Sequence, residues 1–329
     1  MMKILMYNVR TDEEQDISNY QASHNVEIAT NHVPLSDDTV ELAKGYDGII
    51  TQQHGSLGSE KVYEQLHSFG IKQVGLRITG YEIANLDAAR KNDLVVTNVP
   101  AYSPRSVSEL VLAHAMWLVR HMGIVTDRES QGNFSWDGIE SGEIHDMTVG
   151  IIGAGKIGSA VARIFRALGA TVIAADPIKR PELNDTLTYV DHDTVFKTAD
   201  IVTMHTPLTD ETHHMIDTEV FKKMKPSAFF INASRGPVVK TEDLVSALEN
   251  HEIAGAAIDT YEGESATVGK DLNGEVPNAN LQKLLKMPNV NVSPHIGFYT
   301  NVAVKNMVDI ALDDTISILN GNGSLHIVS

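Results

Sequence analysis

The chain has 329 residues, no cysteine and a formal charge of −17, with 26 basic against 43 acidic side chains. That length asks for two domains rather than one core, and the absence of cysteine excludes disulfide staples, thiolate zinc sites and a cysteine nucleophile while fitting a reducing cytoplasm. With no Lys/Arg cluster a nucleic-acid partner is not expected, and with no secretion leader and no apolar run of about eighteen residues neither is a membrane.

Short runs rich in Val, Ile and Leu alternate with stretches at helical spacing. In the first third they are "KILMYN" (3–8), "VEIAT" (26–30), "DGIIT" (47–51), "QVGLR" (73–77) and "DLVVTN" (93–98). Near-continuous apolar strands of this kind belong to a parallel sheet covered on both faces. The acidic "TDEEQD" (11–16) is expected as a solvated loop or helix start. Next comes "SPRSVSELVLAHAMWLVRHMG" (103–123), a long bridging helix. Pro104 suits its first turn, Ser106 and Glu109 are spaced as a capping box, and Val107, Leu110, Val111, His114 and Leu118 share one face. His114 is expected as a packed core histidine.

The strand pattern restarts with "TVGIIG" (148–153) and continues through "TVIAAD" (171–176), "DIVTMHT" (200–206), "AFFINAS" (228–234), "IAGAAID" (253–259) and "NVNVSP" (289–294). A last helix runs from about Asn301 to Asn320 and is closed by Gly321. The economical architecture is α/β, with two doubly wound parallel-sheet domains.

Gly153, Gly155 and Gly158 form G-x-G-x-x-G between an apolar strand and an amphipathic helix. The three glycines serve, in turn, a tight turn, backbone approach to a pyrophosphate, and close helix-to-strand packing. Asp176 closes the next strand at about the 20-residue spacing of an acid that binds the adenosine ribose, so NAD is favoured over NADP. Lys179 and Arg180, close behind, leave some tolerance of NADP open. His213 and His214 are adjacent rather than one helical turn apart and read as an exposed loop, so no metal site is expected.

Ligands of open parallel sheets sit beyond the carboxyl ends of the strands. In the second half those positions hold Asp176, then His205 with Thr206 and Pro207, then Ser234 and Arg235, then Asp259 through Glu264, then His295. Reduction of a 2-oxo acid by hydride transfer needs a group that binds the carboxylate and polarises the carbonyl, and an acid for the developing alkoxide. Arg235 suits the first role, and His295 with Glu264 the second. From spacing alone each could equally be an ordinary salt-bridging or capping residue.

The segments "NVPAYSPRSVSEL" (98–110), "GIIGAGKIG" (150–158), "INASRGPVV" (231–239), "AIDTYEGE" (257–264) and "SPHIGFYT" (293–300) stand in the order and spacing of one family. End to end, the chain resembles the D-isomer-specific 2-hydroxyacid dehydrogenases, in particular their D-lactate dehydrogenase branch. The resemblance implies that Arg235 binds and polarises the substrate, that His295 is acid in reduction and base in oxidation, and that Glu264 is its partner. It places NAD against Gly153, Gly155, Lys156, Ile157, Gly158, Asp176, His205, Thr206, Pro207, Ala233, Ser234, Arg235, Asp259 and His295. Asp259 falls on a family position thought to tune the site and its pH dependence. Substrate contacts are implied at Thr79, Gly80, Tyr102, Phe298 and Tyr299, beside Arg235 and His295, and Glu82 stands where many relatives have aspartate.

The resemblance also implies a flavodoxin-like substrate-binding domain from residues 1–102 and 300–329, and a Rossmann NAD-binding domain from 103–299. Long helices would join them, with a cleft between, and a cytoplasmic homodimer would form through the NAD domains. Thr51, where lactate-type relatives often carry tyrosine, suggests a pocket roomier than pyruvate requires, so larger branched or aromatic 2-oxo acids are the alternative substrates. Phosphoglycerate dehydrogenase is disfavoured by the lack of a further regulatory domain, and formate dehydrogenase by Glu264 in place of glutamine. An NAD-sensing co-repressor on the same scaffold is the alternative of another class, and it predicts peptide binding with little turnover.

Overall fold

The computed structural model describes residues 1–53 and 55–329. It divides into two compact units, Met1–Ser103 with Tyr299–Ser329, and Pro104–Phe298. The first contains β1 (Met2–Tyr7), β2 (Val26–Thr30), β3 (Gly48–Thr51), β4 (Gln73–Leu76) and β5 (Val95–Thr97). They pair in parallel in the order β2-β1-β3-β4-β5, which is the flavodoxin-like arrangement. Every residue of β3 and β4 is buried, which is why these strands read as unbroken runs.

The helix Asn301–Leu319 belongs to this unit and buries Val304, Met307, Val308, Ala311 and Leu312. Its first turn is capped by the Thr300 hydroxyl, which accepts from the Ala303 amide, and Gly321 takes up a left-handed φ of 79° just past its end. The chain end then returns to β5, where the Val328 amide donates to the Val96 carbonyl at 2.9 Å.

The acidic stretch 11–16 does start a helix, Glu14–Ser23, but it is not simply solvated. Glu13 is completely buried, and so is Arg77 just past β4. The Arg77 guanidinium donates to both Glu13 carboxylate oxygens, at 3.1 and 3.0 Å, and to the carbonyls of Tyr7 and Asn8, each at 3.3 Å. A guanidinium sealed at the end of an apolar strand requires such a counter-charge.

The second unit holds β6 (Thr148–Ile152), β7 (Thr171–Ala175), β8 (Thr188–Tyr189), β9 (Ile201–Met204), β10 (Phe229–Asn232), β11 (Gly255–Ile258) and β12 (Val290–Val292). All are parallel, in the order β12-β11-β10-β9-β6-β7-β8. This is the Rossmann order, with its switch point between β6 and β9. The two-residue β8 is too short for periodicity to reveal.

The helix Pro104–Val119 packs here, burying Val107, Val111, His114, Ala115 and Leu118. It begins at the proline, so Ser106 lies inside it and the capping-box reading does not hold. The buried Ser106 hydroxyl donates instead to the Gly297 carbonyl at 2.6 Å, while Glu109 is exposed. Among the described residues no helix is long and apolar enough to cross a membrane.

Candidate active site

The glycine turn after β6 is built as its sequence demands. Gly153 has φ 92°, and a Cβ there would stand 2.7 Å from the His205 carbonyl oxygen; a Cβ at Gly158 would stand 2.0 Å from that of Gly153. Only glycine lets β6, β9 and the helix Lys156–Ala167 approach so closely. At Gly155, by contrast, a Cβ would meet nothing within 4 Å, which leaves space in front of the helix N-terminus. Lys156 is exposed and Ile157 half-buried at that terminus. Asp176 sits past β7, its carboxylate accepting from the amides of Ala154 and Ile178, both at 2.7 Å. Arg180 approaches the same carboxylate at 3.5 Å.

Past β9, the His205 ring bonds through Nε2 to Thr203 Oγ1 at 3.0 Å. His205 Nδ1 and Thr206 Oγ1 are sealed from water and find no partner among the described residues. Desolvation pushes the His205 imidazole down to about 3, so it stays neutral near neutral pH. Pro207 is exposed beside it. Two orphaned polar atoms, an open glycine cradle and an acid at the end of β7 fit a dinucleotide, which could satisfy them.

Past β10, Ala233 and Ser234 are buried, and the amide and hydroxyl of Ser234 both donate to Asn232 Oδ1, at 3.1 and 2.8 Å. Asn232 Nδ2 in turn reaches the carbonyls of Arg235 and Thr260, each at 3.2 Å, tying the ends of β10 and β11 together. Arg235 is half-buried and donates to its neighbour's carbonyl, Ser234 O, at 2.8 Å.

Past β11, Gly263 turns the chain at φ 77° into the short helix Glu264–Ala266. Glu264 Oε1 lies 2.8 Å from His295 Nδ1, and its Oε2 accepts from the Tyr261 amide at 3.2 Å. His295 follows β12 with a left-handed φ of 55°. Its amide donates to the Asp259 carbonyl at 2.9 Å, and the Phe298 ring stands edge-on at 6.4 Å from its own. The strands β10, β11 and β12 are neighbours, so Arg235, Glu264 with Asp259, and His295 emerge side by side.

The first unit carries the remaining predicted residues. Thr79 donates its hydroxyl to the Val99 carbonyl at 2.9 Å, with half-buried Gly80 next to it. The Tyr102 carbonyl accepts from Asn306 Nδ2 at 2.7 Å, and the Arg10 guanidinium lies 5.6 Å over the half-exposed Tyr299 ring. Thr51 is different. It is completely buried and its hydroxyl donates to Gln53 Oε1 at 2.9 Å, so its own side chain presents no surface to a ligand.

Sequence reasoning also missed partners of the site. His214 is not merely loop surface, since its Nε2 lies 2.6 Å from Glu262 Oε1, two residues before Glu264. The links from His114 and Ser293 to Asp259 were missed too, although an alcohol beside a buried acid is a recurring donor.

The family model described as D-isomer specific 2-hydroxyacid dehydrogenase, NAD binding domain, matches residues 112–297. The chain belongs to the D-isomer-specific 2-hydroxyacid dehydrogenases, in their D-lactate dehydrogenase branch. It is 38% identical over 97% of both chains to the D-2-hydroxyacid dehydrogenase (NAD(+)) of Clostridioides difficile. The solved D-lactate dehydrogenase of Lactobacillus jensenii with NAD+ matches with a TM-score of 0.93 and 42% identity over 100% of both chains. A solved D-2-hydroxyisocaproate dehydrogenase also gives 0.93, at 33% identity over 99% of both chains. As a member of this family the protein is an NAD-dependent oxidoreductase of D-2-hydroxy acids. The residues that the family model matches lie within the second unit, Pro104–Phe298.

Proposed function

We propose that the dehydrogenase reduces a small 2-oxo acid, pyruvate foremost, to the D-2-hydroxy acid, with Arg235, Glu264 and His295 as the acting residues. The 2.8 Å contact of His295 with Glu264, on strand ends next to that of Arg235, carries this reading. NADH, when bound, supplies the hydride. The cradle of Gly153, Gly155, Lys156, Ile157 and Gly158 would hold its pyrophosphate and Asp176 its adenosine ribose, with His205, Thr206, Pro207, Ala233, Ser234 and Asp259 bordering the rest. Arg235 pairs its fork with the substrate carboxylate and draws charge toward the carbonyl oxygen. His295 gives a proton to that oxygen as it becomes an alkoxide, and takes it back in oxidation. Glu264 fixes the ring through Nδ1 and stabilises the imidazolium, so that Nε2 carries the proton that moves.

Residues 104–298 take the NAD-binding role, and residues 1–103 with 299–329 the substrate-binding role. In the first unit Thr79, Gly80, Tyr102 and Tyr299 are assigned to the substrate, and in the second Phe298. Higher identity to the L. jensenii D-lactate dehydrogenase supports pyruvate; the equal TM-score of the D-2-hydroxyisocaproate dehydrogenase keeps branched acids as the second reading. Following NADH absorbance with pyruvate, 2-oxoisocaproate and phenylpyruvate, then determining product chirality, tests both. An L product, or no oxidation with any of the three, would overturn the proposal. His295→Gln should lower turnover about 10²–10⁴-fold and leave NADH affinity in place; equal loss of both would mean a structural role.

A homodimer through the second unit is proposed as well. Phe134 and Trp136 stand 78% and 84% exposed on the segment after the helix Met122–Ser130, more apolar surface than a solvated loop needs. Sedimentation velocity should show a dimer that Phe134→Ser with Trp136→Ser converts to monomer; a monomeric wild type would refute this.

A further inference from the structure

A series of hydrogen bonds runs from the helix Pro104–Val119 into the loop that carries His295. Asn291 Nδ2 lies 3.1 Å from His114 Nδ1, His114 Nε2 lies 3.2 Å from Ser293 Oγ, and Ser293 Oγ donates to Asp259 Oδ1 at 2.5 Å. His114, Ser293 and Asp259 are all buried. The carboxylate can only accept, and Ser293 has one proton, which goes to it. Toward His114 the Ser293 oxygen is therefore an acceptor, so His114 carries its proton on Nε2 and accepts from the Asn291 amide at Nδ1. Only the neutral ring satisfies both ends. Burial pushes this imidazole below its usual range, against the pull of the Asp259 charge, and so keeps it in that form.

At the other end, Asp259 grips the loop. Its Oδ1 also accepts from the Ile296 amide and its Oδ2 from the Gly297 amide, both at 2.8 Å, while its carbonyl accepts from the His295 amide. His295 itself is held at a left-handed φ of 55°, a region that residues with a Cβ rarely occupy unless the surroundings fix them there. Ser106, from the same helix as His114, holds the Gly297 carbonyl.

We infer that His114 and Ser293 are positioning residues of the proton-transfer step: in series they aim the Asp259 carboxylate at the Ile296 and Gly297 amides, and through that clasp hold His295 in its left-handed conformation. They act through Asp259. The inference rests on the proposed role of His295 as proton donor.

The test is a set of variants read for turnover, KM and NADH affinity with the best of the three 2-oxo acids. Ser293→Ala and His114→Leu should each lower kcat about tenfold, the effect of breaking one hydrogen bond of the series, with NADH affinity within about twofold of wild type. Ser293→Thr keeps the hydroxyl and His114→Gln keeps an N–H donor, so both should recover most of the rate. Because the groups act in series, the double variant His114→Leu/Ser293→Ala should be no slower than the slower single variant. Wild-type kcat in both single variants, losses that multiply in the double, or a fall confined to NADH affinity would each overturn the inference. Should His114→Leu not fold, Ser293→Ala, which removes one oxygen, and its threonine control decide alone. His295→Gln is run alongside: full turnover there removes the proton-donor reading itself, whereas a dead His295→Gln with unaffected Ser293→Ala removes only the relay.

Discussion

Glu264→Gln isolates the charge behind His295. The substitution keeps the size of the side chain and one acceptor oxygen, but both present partners donate to Glu264: His295 Nδ1 at 2.8 Å and the Tyr261 amide at 3.2 Å. Glutamine has one oxygen for the two, so one contact is lost whichever way the amide turns. A hydrogen bond to a charged group is worth about 1.5–3 kcal/mol. The side chains of His295 and Glu264 are 25% and 22% exposed, so solvent screening places this one near the lower end, about 1.5 kcal/mol. The Tyr261 contact is long and worth about 1 kcal/mol at most, so the loss that matters is the one at His295. It predicts a fall in the proton-coupled step of about tenfold. Single-turnover NADH oxidation in a stopped-flow instrument measures that step, and protein fluorescence measures NADH affinity separately. A rate within about twofold of wild type, or a loss appearing equally in NADH affinity, would refute the assignment of Glu264 as the partner that stabilises the imidazolium.

Two further outcomes concern stability. Glu13→Ala leaves the Arg77 guanidinium buried without a counter-charge and should cost the first unit about 3–5 kcal/mol, read from urea unfolding; Glu13→Gln should cost less, and a loss under about 1 kcal/mol in the alanine variant would mean that the pair contributes no net stability. His205 makes the second unit acid-sensitive: between the ordinary imidazole value of 6.5 and about 3, the unfolded chain binds a proton that the folded ring refuses. Stability therefore falls as pH drops through that window, by up to about 1.4 kcal/mol per pH unit. His205→Gln should flatten the dependence of the urea midpoint between those values, and an unchanged slope would exclude His205 as the source.

Much of the fold was legible because parallel sheets covered on both faces write themselves as continuous apolar runs. Each such run overlaps a strand, from Met2–Tyr7 to Val290–Val292. What misled was local competition. Around residue 104 two helix-start patterns overlap, a proline and a Ser106–Glu109 box, and only one can mark the first turn. Proline decides, because its missing N–H is harmless there and nowhere else in the helix. That frees the Ser106 hydroxyl for the Gly297 carbonyl, a bond between residues 191 apart in sequence.

The placement of the candidate site residues was legible for a similar reason. The strand-end rule needs only strand boundaries, and it collects Arg235, Asp259, Glu264 and His295 past β10, β11 and β12. It does not say what holds them. The partners of Asp259 come from 34 to 38 residues away, and His114 meets Ser293 across 179. No periodicity reports such pairings, yet a sequence does report the need for them. An arginine such as Arg77, at the end of a fully buried strand, calls for a buried acid by the cost of desolvating its charge. The stretch 11–16 offers four candidates: Asp12, Glu13, Glu14 and Asp16. Glu13 takes the role because it stands immediately before the helix Glu14–Ser23, where its carboxylate also accepts from the Arg10 amide at 2.8 Å and its carbonyl from the Ile17 amide at 3.0 Å. The residue whose backbone is already held by the turn is the one that can keep a buried carboxylate still.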